Sequence, residues 1–447
     1  MKRFLSILMA ATLILAVMAG CGDSSSGTTD NKTLSIAVFE GGFGRVFWDD
    51  LIARFEAANP GVKVDMQISP DIGDMVSPQI ASGNAPDLLS ISFGEKSGLI
   101  QSMIKDNKLL EITDVFDGPQ YDSDAKLRDK ITPGFLESAL SAPYGDGKIY
   151  FAPQNAGPMG LVYNKTLFDE KGWAVPVTWD DFFALGDKSK AAGIPLFTYQ
   201  GIHAGYLESI LWPSIAAAIG LEDFKKIEQY DEGIWKDQRV IDVLKMFEKI
   251  GTGGYLMDGT PALDHTQTQS AQMMNQALFI PNGTWMEDEM KDADRAEGYA
   301  FALTPPPVMK SSETRYIMSS CEQLSIPKDA KNPDLAKKFI RFFYTDLIVM
   351  KYMAICNAVI PTKNAKSLMQ GILTDGVFGM FGAYEEPGAA SLIVGFEALP
   401  EGSTVAFGGS QGEVFGPIAD LMNGKITAEQ WAAGIAKACA QITADKG

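Results

Sequence analysis

Apolar and polar positions fall in blocks along this chain, and the period of the blocks switches in a regular order. Residues 33–39 (TLSIAVF) alternate and then run apolar, which predicts a strand with at least one buried face. Residues 45–58 carry Val46, Phe47, Leu51, Ile52 and Phe55 at helical spacing, and Asn59-Pro60-Gly61 supplies the stop. A second strand is predicted over residues 62–68, a second helix over 71–82 and a third strand over 87–93. The order strand, helix, strand, helix, strand predicts a parallel sheet wrapped by helices. In such sheets ligands meet the loops at the carboxyl ends of strands, here residues 40–44 and 92–95. The GGFG at residues 41–44 lacks the GxGxxG spacing, and no acidic residue ends the second strand, so a dinucleotide loop is set aside.

The pattern pauses at residues 147–165 (GKIYFAPQNAGPMGLVYNK) and then resumes. Two short apolar runs, 149–152 and 159–163, flank a polar, proline- and glycine-marked stretch that ends strands and tolerates bends. This reads as a strand crossing between two α/β lobes, with Gln154 and Asn155 leaving the sheet where the lobes meet; the plain alternative is a loop within one domain. Beyond it, Thr178 is placed as an N-cap with Asp181 three residues on, an acidic capping box that makes Trp179 a packing residue. Residues 193–201 predict a buried strand ending in Tyr199-Gln200-Gly201, followed by a helix bearing Tyr206, Leu207, Ile210, Leu211 and Trp212. Residues 239–249 predict an amphipathic helix, and the turn at 281–284 places Trp285 at a strand end. The prolines of residues 304–308 predict a rigid, extended surface element. Asn332-Pro333 opens a helix through Tyr344, and residues 424–440 hold the last one. No repeat of 20–50 residues is present.

The N-terminus changes the picture. Lys2-Arg3 precede an apolar run at residues 4–17, a layout that predicts a secretory signal and is too short for a stable membrane span. Residues 22–32 (GDSSSGTTDNK) hold no apolar residue and predict a flexible tether. Without the first twenty residues, 447 − 20 = 427 remain, enough for two or three domains. The net charge is −18, or −20 once Lys2 and Arg3 are removed, and no Lys/Arg run survives, which disfavours nucleic acid. An acidic surface suits a ligand that is small and uncharged or cationic. After Cys21 there remain Cys321, Cys356 and Cys439, an odd number without CxxC spacing. They signal neither a zinc site nor a disulfide framework, and one disulfide or buried free thiols are both open. His203 and His265 have no metal-ligand or triad partners in sequence.

Two resemblances follow from quoted residues. Ala19-Gly20-Cys21 resembles a bacterial lipobox, with Met18 where such boxes usually carry Leu. It implies a lipidated Cys21 as the mature N-terminus, anchored on the outer face of the cell membrane. The chain as a whole resembles the solute-binding proteins of bacterial ABC importers, in the maltose-binding-like, carbohydrate-specific group. Six stretches carry this in family order: residues 55–64 (FEAANPGVKV), 83–87 (GNAPD), 161–165 (LVYNK), 279–285 (FIPNGTW), 331–339 (KNPDLAKKF) and 421–431 (LMNGKITAEQW). Residues 178–187 (TWDDFFALGD) and 196–201 (LFTYQG) look like the members that bind N-acetylglucosamine or its β-linked disaccharide. The resemblance implies an α/β fold of two lobes joined by crossing hinge strands, with lobe 1 at about residues 33–150 plus 283–330 and lobe 2 at about 151–282 plus 331–447. It also implies a monomer with no catalytic residue, metal or cofactor, which delivers a sugar to the permease subunits of the membrane.

A pyranose has apolar faces and a rim of hydroxyls, so a site for it needs aromatic platforms and groups that both donate and accept. Phe43, Tyr199, Tyr206, Trp212 and Trp285 are the candidate platforms. Glu40, Gln154, Asn155, Gln200 and Glu322 are the candidate polar contacts, with Tyr199, Gln200 and Trp285 placed first. Two rival classes remain: a binding protein for a peptide or polyamine, which keeps the fold, and an exported glycosidase, for which no spacing singles out a carboxylate pair.

Overall fold

The computed structural model describes residues 32–41, 44–91, 97–400 and 402–446. The signal segment, Cys21, Phe43 and the loop at 92–95 lie outside the described residues. Among the described residues ten strands form two five-stranded sheets. They are β1 (Thr33–Phe39), β2 (Lys63–Ser69), β3 (Leu88–Ser90), β4 (Phe151–Pro153), β5 (Gly157–Asn164), β6 (Ile280–Gly283), β7 (Phe301–Thr304), β8 (Arg315–Ser320), β9 (Gln323–Ser325) and β10 (Ala389–Leu392).

The first sheet has the order β2-β1-β3-β9-β4, with β1 parallel to β2 and β3 and with β9 antiparallel to both of its neighbours. In the second, β5 is central, antiparallel to β6, β7 and β8, and β10 runs parallel to β8. Side chains of a strand alternate between faces, and here each face has its own core. Leu34, Ile36 and Val38 join one cluster while Ala37 joins another. Met159, Leu161 and Tyr163 of β5 face a third cluster, with Val162 on the opposite side.

Among the described residues the chain passes between the sheets three times, and the first two passages run in opposite directions at adjacent places; the third, from β9 to β10, goes through the intervening helices. From β4 to β5 the link is Gln154, Asn155 and Ala156; from β8 to β9 it is Cys321 and Glu322. Pro153 pairs with Gln323 on one side of the links and Gly157 with Ser320 on the other. Three residues therefore stand opposite two, which is a β-bulge at the crossing.

Lobe membership differs from the sequence expectation in two places. Residues 301–304 and 315–320, expected in the first lobe, pair with β5 in the second sheet. The helix Pro333–Phe343, expected in the second lobe, packs on the first: Phe339 meets Phe55 with ring centroids 4.9 Å apart. Its N-terminus is pinned there, because Asn332 donates through its backbone to Asp87 and through its amide to the Thr33 carbonyl. The following helix Asp346–Cys356 lies against the same partner, with Tyr352 edge-on to Phe47 at 4.7 Å.

Local chemistry explains other elements. Thr178 and Asp181 form a reciprocal capping box on the helix Trp179–Ala191, and Trp179 is buried. Residues 193–201 are no regular strand. Phe197 makes single bridges to Leu256 and Phe279, and the segment is buried between them. The prolines 305–307 are buried rather than on the surface. Arg315 explains this: its guanidinium donates to the carbonyls of Pro176 and Pro305, to Thr304 and to the Glu386 carboxylate. No disulfide joins Cys321, Cys356 or Cys439. No helix among the described residues is long and apolar enough to cross a membrane.

Removing one member of a buried ion pair strands the other, which costs roughly 3–5 kcal/mol. Arg315 is 6% exposed and Glu386 26%, so the lower end applies, and Arg315→Met should lower the unfolding free energy by about 3 kcal/mol. Equilibrium denaturation reads this; an unchanged midpoint would show that the proline stretch needs no such support.

Candidate functional site

A concavity with a volume of about 1010 Å³ lies between the sheets. Small-molecule sites run to roughly 1,000 Å³, so this one is at the roomy end. One wall comes from the first-sheet side: Phe39 and Gly41 at the carboxyl end of β1, and Gln101, Ser102 and Lys105 of the helix Leu99–Lys105. The floor is the double crossing, through Asn155, Met159, Met318 and Glu322. The facing wall carries His203, Tyr206, Glu208, Trp212, Trp285 and Glu289. A strap over residues 394–399 and 403–410 closes one side. It bonds to both lobes, Glu397 donating through its backbone N–H to the Glu228 carbonyl and Ala398 to that of Pro143.

Trp285 owes its place to the residues before it. It follows β6 by two residues, just ahead of the short helix Met286–Glu289, rather than ending a strand. A side chain at Gly283 would stand 2.2 Å from the indole, so only glycine lets the ring fold over the strand. Across from it lies Tyr206, ring centroids 6.4 Å apart and planes at 60°. A second aromatic group forms around Phe396, which is edge-on to Trp212 at 5.3 Å and stacked on Tyr230 at 5.7 Å.

Of the residues read from the sequence, the structure brings Asn155, Tyr206, Trp212, Trp285 and Glu322 to the cavity. Trp212 is almost fully buried. Gln154 lies behind the floor, accepting from Ser90 at 2.6 Å and donating to the Glu322 carboxylate at 3.3 Å. Glu40 is half-buried and sits between two lining residues without lining the cavity itself.

Tyr199 and Gln200 require a correction, since both are 0% exposed and away from the cavity. Their segment is flanked on both sides by chain, with Phe197 bonded to Tyr255 and Thr198 to Phe279, so neither side chain can reach a ligand. Gln200 instead donates to the Pro281 carbonyl at 2.8 Å and holds the turn that carries Trp285.

Sequence reasoning missed Glu208, Glu289, His203, Lys105 and Phe396. A signal for the first was present: Glu208 is the one charge in residues 201–219, an otherwise uncharged stretch. Burial raises the carboxyls of Glu208 and Glu322 to about 7, and it raises Glu289 as well. The Asn155 side chain accepts from the Glu322 backbone at 2.8 Å, fixing that residue over the floor. His203 and His265 come together, ring centroids 5.5 Å apart. Among the described residues no group of three or more His, Cys, Asp or Glu could hold a metal ion.

Residues 408–412 (GGSQG) have the GxSxG spacing of a hydrolase nucleophile. They lie in the strap rather than in a strand-to-helix elbow, and the Ser410 hydroxyl accepts from the Gly205 backbone at 3.2 Å. Neither feature prepares a nucleophile.

This two-lobed arrangement recurs in known proteins. A solved chitin oligosaccharide binding protein superposes with a TM-score of 0.67 at 20% identity, over 93% of this chain and 99% of that one. A raffinose complex of the solute-binding protein RafE gives 0.66 at 17% identity, over 93% and 100%. In sequence, the diacetylchitobiose binding protein NgcE of Streptomyces coelicolor is 28% identical over 364 residues, 79% of this chain and 73% of that protein. The multiple sugar-binding protein of Streptococcus mutans is 24% identical over 332 residues, 71% of this chain and 72% of that protein. The model of the bacterial extracellular solute-binding proteins matches residues 44–346, well over half of the sequence, and the chain belongs to that family.

Proposed function

We propose that this chain captures a sugar or short oligosaccharide, of the chitobiose class, between its lobes and hands it to the permease of an ABC importer. The observation that carries the reading is the pairing of aromatic faces with buried polar groups around one cavity walled by both lobes. Rings present flat apolar surface to the CH faces of a pyranose, and Asn155, Glu208 and Glu322 meet its hydroxyls. The relatives named above, sugar-binding by their names, support the same class. A binding rather than catalytic role fits a cavity whose carboxylates serve recognition. Contacts from both walls give a ligand greater affinity for the closed form, and only such a difference can shift the open–closed balance. The crossing links at residues 154–156 and 321–322 are the proposed hinge.

Calorimetry against mono- and disaccharides tests the class. Within it, Trp285→Ala should weaken binding by roughly 2–4 kcal/mol, as loss of a buried aromatic anchor does, and should remove the ligand-induced rise in Tm. A folded Trp285→Ala protein with undiminished affinity would place the sugar elsewhere.

The anchor is proposed at Cys21, on the outer face of the cell membrane, with the protein monomeric above its tether. Cys21→Ala should abolish incorporation of a labelled fatty acid and release the protein from the membrane fraction. Labelling that persists in the variant would place the lipid elsewhere.

The buried carboxyls also set a pH dependence. Glu208, Glu228 and Glu322 hold their protons up to about 7 in the folded protein, whereas an exposed glutamate in the unfolded chain titrates near about 4.3. The folded state binds more protons between those values, so stability is greatest at the acid end of that window and falls as pH rises through 7. The ligand-free Tm should therefore decrease from about pH 5.5 to about pH 8, and Glu322→Gln should flatten the slope. A Tm that rises over this range would refute the assignment.

A further inference from the structure

The carboxylates of the cavity have almost no cationic company. Lys105 is the one lysine or arginine among the described lining residues, and it lies on the wall opposite Glu208 and Glu289. Among the described residues no ion pair engages Glu208, Glu289 or Glu322. Glu289 accepts one bond, from the Gln269 amide at 3.1 Å, and lies near His265, whose ring meets that of His203. Glu322 accepts from Gln154. Glu208 has no hydrogen-bond partner among the described residues, yet it is enclosed deeply enough for burial to dominate its environment.

Position adds to charge. Glu208 and Glu289 both act electrostatically on the Tyr206 hydroxyl, and Tyr206 faces Trp285. Two carboxylates and two aromatic rings thus converge at one end of the cavity. Aromatic faces attract cations through their quadrupole, most strongly where water is excluded. Burial keeps the proton on Glu208 in the empty cavity, and a neutral sugar hydroxyl could bond to it without supplying the positive charge that favours its ionised form. An ammonium group supplies both the donor and the charge.

We propose that the end of the cavity formed by Tyr206, Glu208, Trp285 and Glu289 receives a protonated amine. The cargo is then an amino sugar whose amine is free, a short glucosamine oligosaccharide rather than its acetylated form. This rests on the sugar reading given above and names the charge of the sugar within it. Glu208 is the residue that sets the preference, because its carboxylate has no other partner to satisfy it.

Calorimetry on the full chain at about pH 6, where an amine is protonated, should compare chitobiose (the free diamine), diacetylchitobiose, maltose and spermidine. Chitobiose should bind at least tenfold more tightly than diacetylchitobiose. In Glu208→Gln, which cannot ionise beside an ammonium and keeps the shape, the ratio of the two affinities should fall at least tenfold; Glu289→Gln should lower it less. Equal or tighter binding of diacetylchitobiose, or a ratio unmoved by Glu208→Gln, overturns the amine assignment and leaves the sugar reading standing. Binding of spermidine without any sugar overturns both, as does binding of none of the four.

Discussion

Everything in this molecule depends on how buried backbone is satisfied where the chain passes between sheets. A link between two strands leaves N–H and C=O groups without a ladder, and at this depth each must find another partner. The two links supply them to one another. Gln154 donates through its backbone to the Glu322 carbonyl at 2.7 Å, and the Glu322 N–H returns to the Asn155 side chain. Ala156 bonds to Val359, and the Tyr344 hydroxyl donates to the Pro153 carbonyl at 2.6 Å. The crossing is thereby a defined structural element, and the cavity floor inherits its definition.

The site above the floor is held from behind. Gly283 makes room for the Trp285 indole, Gln200 ties the turn beneath it through Pro281, and Tyr206 closes over the front. Packing fixes the aromatic residues, and their exposed faces remain for a ligand. The carboxylates are treated in the opposite way. Burial raises Glu208 and Glu322 without supplying a cation, so in the empty cavity they keep their protons, and a cationic ligand would favour their ionised forms.

Much of the fold was legible in the sequence because local signals agreed with it. The alternation in residues 33–39, the stop at Asn59-Pro60-Gly61 and the Thr178–Asp181 capping box all report short-range physics, and each stands where it was read. The lobe boundaries depend on long-range pairing. Nothing local to residues 301–304 says that they join β5, or that Asn332 will be caught by Asp87. The buried prolines misled because their composition describes stiffness and not depth; Arg315, at a distance in sequence, decides the depth. In the site, a strand-ending Tyr-Gln pair looks the same whether it faces a cleft or another strand, and Tyr199 and Gln200 face chain on both sides. Glu208 was legible in principle, as a lone charge on an apolar helical stretch, whereas Phe396 sits in an irregular strap that carries no periodicity to read.

The unequal crossing links carry a consequence for how the family's chain can vary. On either side of the links the two strands run as a single antiparallel ribbon, with three residues against two in between. Surface loops absorb insertions readily. Here the gain or loss of one residue would shift the register of half the ribbon, turning Met159 and Leu161 away from the core that they now fill and Val162 towards it. Length at this point is therefore as constrained as composition is in the core, and drift in ligand preference is confined to side chains set on a spacing that stays fixed.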